Sequence, residues 1–322
     1  MQVLSPQQTK AALPFDRLIA ALDAGFRADV TAPLRHHHVM PTPGRRDAVL
    51  LLMPAWQNPG QNPGQNTGWG GVKLVNVHPD NAAKGLPAIS ATYVLFDRET
   101  GEHRLILDGG ELTARRTAAA SALAARRLAR PESRRLLVVG AGRVAANLPH
   151  AYSAVLPIDA VAVWSRTEAS ARDLVATLRA QGIAASHASD LQAAVAEADV
   201  ISCATLARDP VLKGDWLKPG QHVDLIGSFT PDMREADDVV MRRARIFIDT
   251  GHAKLESGDI KTPLETGVIT ESDICATLAD LCRDDAYPRN SPDEITLFKG
   301  VGTAIEDLSA AVLALEVSSE SA

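Results

Sequence analysis

The sequence predicts an α/β protein in which a small α+β sheet domain precedes a larger, doubly wound parallel sheet. Three observations carry that prediction. Residues 4–112 read as one helix and then short β-rich segments separated by Gly, Pro, Asn and Asp. From Thr113 onward, strand and helix segments alternate, as in a parallel sheet covered by helices on both faces. Early in that second stretch, Gly-Ala-Gly-Arg-Val-Ala at 140–145 stands between an apolar strand and a helix.

Composition sets the frame. The chain has 322 residues, 46% hydrophobic and 22% charged, with a net charge of −6. That balance belongs to a soluble globular protein, and the acidic charge argues against nucleic acid or an anionic membrane as partner. Three cysteines with no Cys-x-x-Cys pair fit a reducing compartment. No apolar run approaches the roughly 20 residues that span a bilayer. MQVLSPQQTKAALPFDRL lacks the basic and apolar regions of a secretory signal, so a cytoplasmic protein is expected.

In chain order, LPFDRLIAALDAGFRA (13–28) has the 3.6-residue apolar period of an amphipathic helix. HHH at 36–38 has no accompanying His or Cys cluster and alternates faces if it lies in a strand, so no metal site is expected. DAVLLLMPAW, GVKLVNVH, AISATYVLFD and HRLILDGG then read as strands of a mostly antiparallel sheet. The repeat QNPGQNPGQNTG (57–68) is turn chemistry and reads as an exposed loop. Its placement permits a role as a lid over Lys73.

TARRTAAASALAARRLAR (113–130) is a helix by its alanine content. The strands RLLVVG, AVAVWS, DVISCAT, HVDLIG and RIFIDT follow. Helices fit between several of them, at VAANLPHAYSAVL, EASARDLVATLRAQG and DLQAAVAEA. GTAIEDLSAAVLALEV closes the chain as a helix able to pack on either domain.

Gly140, Gly142 and Ala145 form the pattern G-x-G-x-x-A of a Rossmann dinucleotide site. The first glycine allows the tight turn, and the second lets the backbone approach a pyrophosphate at the helix N-terminus. The small third residue lets helix and sheet pack. Arg143 and Val144 open that helix and belong to the same cofactor loop. At the end of the second strand an NAD site wants a carboxylate, but here stand Ser165, Arg166 and Thr167. A guanidinium flanked by two hydroxyls suits a 2′-phosphate, so NADPH is expected, with NADH as the alternative. The other reading of Arg166 is an ordinary surface arginine.

Arg35, Lys73 and Arg116 are cations with no acidic partner close in sequence, and they point to a substrate carboxylate. The competing reading places all three on solvated faces.

The chain resembles the ornithine cyclodeaminase/μ-crystallin family over nearly its whole length. The resemblance rests on MPAW (53–56), KLVNVHPDN (73–81), ELTARRTAAAS (111–121), VVGAGRVA (138–145), VWSRT (163–167) and LFKGVGTAIEDL (297–308). It implies that the first sheet domain, 1–115 with 304–322, binds substrate and dimerises, its sheet joining the partner's. Residues 116–303 are then the NADP-binding Rossmann domain. Arg35, Lys73 and Arg116 are implied to hold the substrate carboxylate, with Met53 beside them and Lys73 also acting in catalysis. Thr205, Gly227, Lys299 and Gly300 are implied at the cofactor, although Gly300 stands where relatives often carry serine.

One departure bears on the reaction. Aligned on Gly227 and Pro231, the cyclodeaminase aspartate is replaced by Phe229 and the following lysine by Met233. A phenyl ring cannot act as a general base. The expected activity is therefore NAD(P)H-dependent reduction of a cyclic imine, Δ1-pyrroline-2-carboxylate or its six-membered homologue. RHHHVMP, LLMPAW and GSFTPDMREAD support a match to reductases of that kind. The alternatives are cyclodeaminase or alanine-dehydrogenase chemistry, or a non-catalytic NADPH-linked binding protein.

Overall fold

The computed structural model describes residues 1–59, 68–283, 287 and 289–320. Most of the QNPGQNPGQNTG repeat, and with it the expected lid, lies outside the described residues. The chain divides into two compact units, Met1–Arg116 with Thr303–Ala322, and Thr117–Gly302.

The first unit contains β1 (Gln2–Leu4), helix α1 (Pro6–Ala11), helix α2 (Phe15–Arg27), β2 (Val30–Thr31) and β3 (His36–Met40). The long strands β4 (Ala48–Gln57), β5 (Trp69–Val77), β6 (Ile89–Asp97) and β7 (His103–Asp108) follow. The sheet order is β1-β7-β6-β5-β4-β2, with β3 also on β4. Only β1 runs parallel to its neighbour. Helix α3 (Gly109–Leu128) begins ahead of the alanine-rich stretch because the Asp108 carboxylate accepts the Glu111 N–H at 2.7 Å.

The core face of this sheet carries Met53, Ala55, Val75, Tyr93, Leu95, Leu105 and Leu107, all buried. The C-terminal helix (Ala304–Glu320) packs on β4 to β7 and on α2. Alternation along β5 then decides the fate of its lysine. Gly71, Lys73 and Val75 are buried, whereas Leu74 between them is exposed. A Cβ on Gly71 would stand 2.2 Å from the Tyr93 hydroxyl, so that position requires glycine.

The second unit holds β8 (Arg135–Val139), α4 (Arg143–Ser153), β9 (Ala160–Trp164), α5 (Glu168–Ala180), β10 (Ala185–His187) and α6 (Leu191–Glu197). It continues with β11 (Val200–Cys203), β12 (His222–Leu225), α7 (Asp238–Arg243), β13 (Ala244–Ile248), α8 (Ala253–Glu256), α9 (Gly258–Glu265), β14 (Ile274–Thr277), α10 (Leu278–Arg283) and β15 (Ile295–Lys299). All eight strands pair in parallel, in the order β10-β9-β8-β11-β12-β15-β13-β14. The chain runs outward from β8 to β10 and returns to β11 beside β8. That reversal is the switch point at which such sheets bind ligands.

Strands β11 and β12 are buried at every residue, as expected of parallel strands covered on both faces. Sequence patterning did not reveal β15, which is also buried throughout and lies between β12 and β13. Its run of five residues is too short to separate a strand from other buried apolar segments. A buried carboxylate, Asp224, ties four elements together by accepting the hydroxyls of Ser121 at 3.1 Å, Tyr152 at 2.9 Å and Ser202 at 2.5 Å. Burial pushes its carboxyl up to about 6, against the three hydroxyl bonds. No helix among the described residues is long and apolar enough to cross a membrane.

Candidate active site and cofactor site

In the first unit Lys73 is 2% exposed, directly opposite Met53 on β4 and Tyr93 on β6. An ammonium group cannot be buried alone. Its partner is Asp307, in the first turn of the C-terminal helix, at 2.9 Å from Oδ1 and 2.8 Å from Oδ2. Arg116, on α3, donates from Nε to Asp307 at 3.0 Å and from Nη1 to Glu306 at 2.5 Å. Arg35 is half-buried just before β3, and its charge acts on both Lys73 and Asp307.

These charges do not share the strain equally. Burial, and then the nearby Arg116, pull the Lys73 ammonium down to about 8, although Asp307 opposes them. Burial also works against the Asp307 carboxylate, but Lys73, Arg116 and Arg35 together outweigh it and leave Asp307 below the usual range. Asp307 therefore keeps its charge firmly, and Lys73 titrates closer to neutrality. The sequence-predicted Arg35, Lys73, Arg116 and Met53 all lie in this unit, three of them buried.

The two carboxylates were missed as site residues. They stand inside the motif LFKGVGTAIEDL, but Asp307 is 234 residues from Lys73 in the chain. Only their complete burial sets them apart, and burial is a property of the folded helix.

In the second unit β8 leads into Gly140, whose φ of 124° lies outside the range comfortable for other residues. A Cβ there would come within 2.5 Å of the Ala204 carbonyl oxygen. The Gly140 N–H donates to Trp164 O at 2.8 Å and so joins the loop to the end of β9. Gly142 caps α4 without a side-chain bond, and nothing lies within 4 Å of where its Cβ would be. Ala145 is fully buried, and Arg143 is exposed, with Val144 half-buried. An uncapped helix N-terminus behind an open glycine fits a pyrophosphate.

At the end of β9, Ser165 is half-buried, and Arg166 and Thr167 are exposed. Thr167 precedes α5 and makes no capping bond with its side chain. Thr205 and Gly227 follow β11 and β12, and both of their N–H groups are spent on Glu235. Lys299, expected at the cofactor, is fully buried; it donates to Leu225 O at 3.1 Å and sits 3.8 Å from Asp259. Several carboxylates buried around it require a cation inside the unit, which is why it turns inward. At Gly300 a Cβ would meet its neighbours at 3.5 and 3.8 Å, ordinary contact distances.

The turn after β12 presents Phe229, 41% exposed, while Met233 is buried. Ser228 holds that turn by donating to Met233 O at 2.5 Å and meeting Ser257 Oγ at 2.8 Å. Asp232 accepts the Thr230 hydroxyl at 2.6 Å and stands 3.3 Å from Arg208, so its carboxylate is engaged within the turn region.

Comparison with known proteins bears on both units. The model of the ornithine cyclodeaminase/mu-crystallin family matches residues 2–321. A Δ1-pyrroline-2-carboxylate reductase of Paracoccus denitrificans is 45% identical over 285 residues, 87% of this chain and 89% of that protein. The ketimine reductase mu-crystallin of Mus musculus is 33% identical, with 93% of this chain and 89% of that protein covered. Among solved structures, Thermococcus litoralis Δ1-pyrroline-2-carboxylate reductase in complex with NADH and L-proline superposes with a TM-score of 0.90 at 31% identity, covering 100% of this chain and 98% of that one.

Proposed function

The chain belongs to the ornithine cyclodeaminase/mu-crystallin family, and we propose that it is an NAD(P)H-dependent ketimine reductase. Its substrate is Δ1-pyrroline-2-carboxylate, reduced to L-proline, with Δ1-piperideine-2-carboxylate as the six-membered homologue. The first unit binds the substrate carboxylate through Arg35, Lys73 and Arg116. The second binds the dinucleotide through the Gly140–Val144 loop, with Ser165, Arg166 and Thr167 on the 2′-phosphate. Met53 flanks the clamp. The names of its relatives point to the same reaction.

The observation that carries the choice of reaction is Phe229. A deaminating cyclisation needs a base to activate water or an amine, and this exposed position offers a phenyl ring. A protonated C=N needs no such base. It is already electrophilic, and the protein has only to hold its carboxylate and orient it. When bound, the reduced nicotinamide supplies the hydride that completes the C–H bond.

The enzyme is read as a cytoplasmic homodimer. The sheet face opposite the C-terminal helix carries Leu50, Leu52, Val72 and Val94, all half-buried, around the exposed Leu74, an apolar surface suited to a second copy.

The deciding experiment follows cofactor oxidation with the cyclic imines made from D-proline and D-lysine by an amino-acid oxidase. Both NADPH and NADH are run, because the Thermococcus litoralis structure holds NADH. Oxidation with at least one imine is expected. No oxidation with either, together with proline formed from ornithine, overturns the reading.

The cofactor preference has its own test. Arg166 is exposed at the end of β9. Arg166→Asp is expected to lower kcat/KM with NADPH by about 10–100-fold, with little effect on NADH, because a charge-assisted bond becomes a repulsion. Equal losses with the two cofactors remove Arg166 from the phosphate site.

A further inference from the structure

The adjacent strands β11 and β12 end in loops, and one buried side chain holds both. Glu235 is 0% exposed. Its Oε1 accepts the N–H of Thr205 at 2.7 Å and the Thr205 hydroxyl at 2.7 Å. Its Oε2 accepts the N–H of Gly227 at 2.6 Å. The loops approach so closely that a Cβ on Gly227 would lie 1.8 Å from Thr205 O.

Glu235 is itself anchored. Its N–H and that of Ala236 donate to Asp259 Oδ1 at 2.8 and 3.1 Å. Behind Asp259 stands the Lys299 ammonium at 3.8 Å, which also donates to Leu225 O at the end of β12.

This wiring fixes the polarity of one hydroxyl. Thr205 has a single hydroxyl hydrogen, and Glu235 takes it. Its oxygen accepts the Ala207 N–H at 3.3 Å and retains one lone pair. Half-buried at the carboxyl end of the sheet, Thr205 can therefore only accept from a ligand. A carboxylate is required for this, because each of its oxygens meets a fixed backbone N–H. A carboxamide of the same size would turn its NH2 against one of them.

We propose that Glu235 is a positioning residue that fixes Thr205 as the hydrogen-bond acceptor for the carboxamide NH2 of the nicotinamide. The proposal rests on the dinucleotide reading given above, and deepens it by assigning one end of the cofactor to one oxygen. Glu235 acts only through Thr205 and Gly227.

The test measures dissociation constants of the full-length protein for NADPH and for reduced 3-acetylpyridine adenine dinucleotide phosphate, which has an acetyl group in place of the carboxamide. Thr205→Val is expected to weaken NADPH about tenfold and to leave the acetylpyridine analogue nearly unaffected. Thr205→Ser recovers most of the lost NADPH affinity. Glu235→Gln reproduces the same discrimination between the two cofactors. If Glu235→Gln does not fold, Glu235→Asp takes its place, and a Glu235 variant that weakens both cofactors equally, or neither, removes Glu235 as the positioning residue. Equal weakening of both cofactors in Thr205→Val, or no weakening of either, overturns the proposal. Because the readout is binding, a protein that binds NADPH but reduces no imine defeats the reductase reading and leaves this inference to its own result.

Discussion

Asp307→Ala is expected to lower the free energy of unfolding by about 3–5 kcal/mol, the usual cost of stripping one partner from a buried ion pair. The carboxylate is fully buried and faces both Lys73 at 2.8 Å and Arg116 at 3.0 Å. Removing it leaves Arg116 paired with Glu306 and takes away the ion-pair partner of Lys73. Lys73 can shed its proton more readily than before, so part of the loss is relieved at high pH. The deficit should therefore be largest below about pH 8, where Lys73 is charged in the parent protein. Urea unfolding at pH 6 and pH 9 measures it. A change under about 1 kcal/mol at pH 6 would mean that the pair is solvated in the working protein. Replacing both partners, Lys73→Met with Asp307→Leu, should recover much of the stability, because two apolar side chains avoid the desolvation of two charges.

Lys73→Ala should raise KM for the cyclic imine on the order of a hundredfold, the worth of a charge-assisted hydrogen bond to a carboxylate. Asp307 keeps Arg116 as its partner in that variant, so the fold is disturbed less than by Asp307→Ala. The pH profile separates binding from bulk damage. Burial and Arg116 bring Lys73 to about 8, below its unfolded value, so its charge is present below that pH and is lost as pH rises through it. Affinity for the substrate carboxylate should fall above about pH 8 in the parent protein, and this break should vanish in Lys73→Ala. Arg116 remains charged throughout that range and contributes no break. A variant with unchanged KM, or one that retains the same break, removes Lys73 from the carboxylate clamp.

Much of the architecture was legible because it depends on local order. The antiparallel strands announced themselves as short β-rich runs bounded by Gly, Pro, Asn or Asp, and β8 by an apolar run before Gly140-x-Gly142. Helix α2 followed from its apolar period. The reading failed where a segment was short and its identity depended on neighbours. Strand β15 lies in the middle of the larger sheet, yet its five residues carry no period that distinguishes them. Strand β1 has three residues and exists because β7 accepts it alongside.

The site divides in the same way. Gly140 and Gly142 were readable because backbone conformation and close approach constrain the residue type on the spot. Arg166 stood out as a candidate because it occupies the end of a recognisable strand. Lys73 was visible as an anomaly, but its sequence neighbours could not say which face of β5 would be buried. That was decided by the C-terminal helix, which covers one face and brings Asp307 to the ammonium. Glu235 was hidden for the same reason, since its partners Thr205 and Gly227 belong to loops that only a parallel sheet sets side by side.

By itself, then, the sequence determined most of the elements, the glycine pattern of the loop after β8 and the list of cations, all properties of residues close together in the chain. Only the tertiary structure decided which of those cations are buried and which carboxylates they answer to. The charge of a side chain is written in its covalent structure, but the cost of burying it, and therefore its partner and its titration, depends on what the fold packs around it.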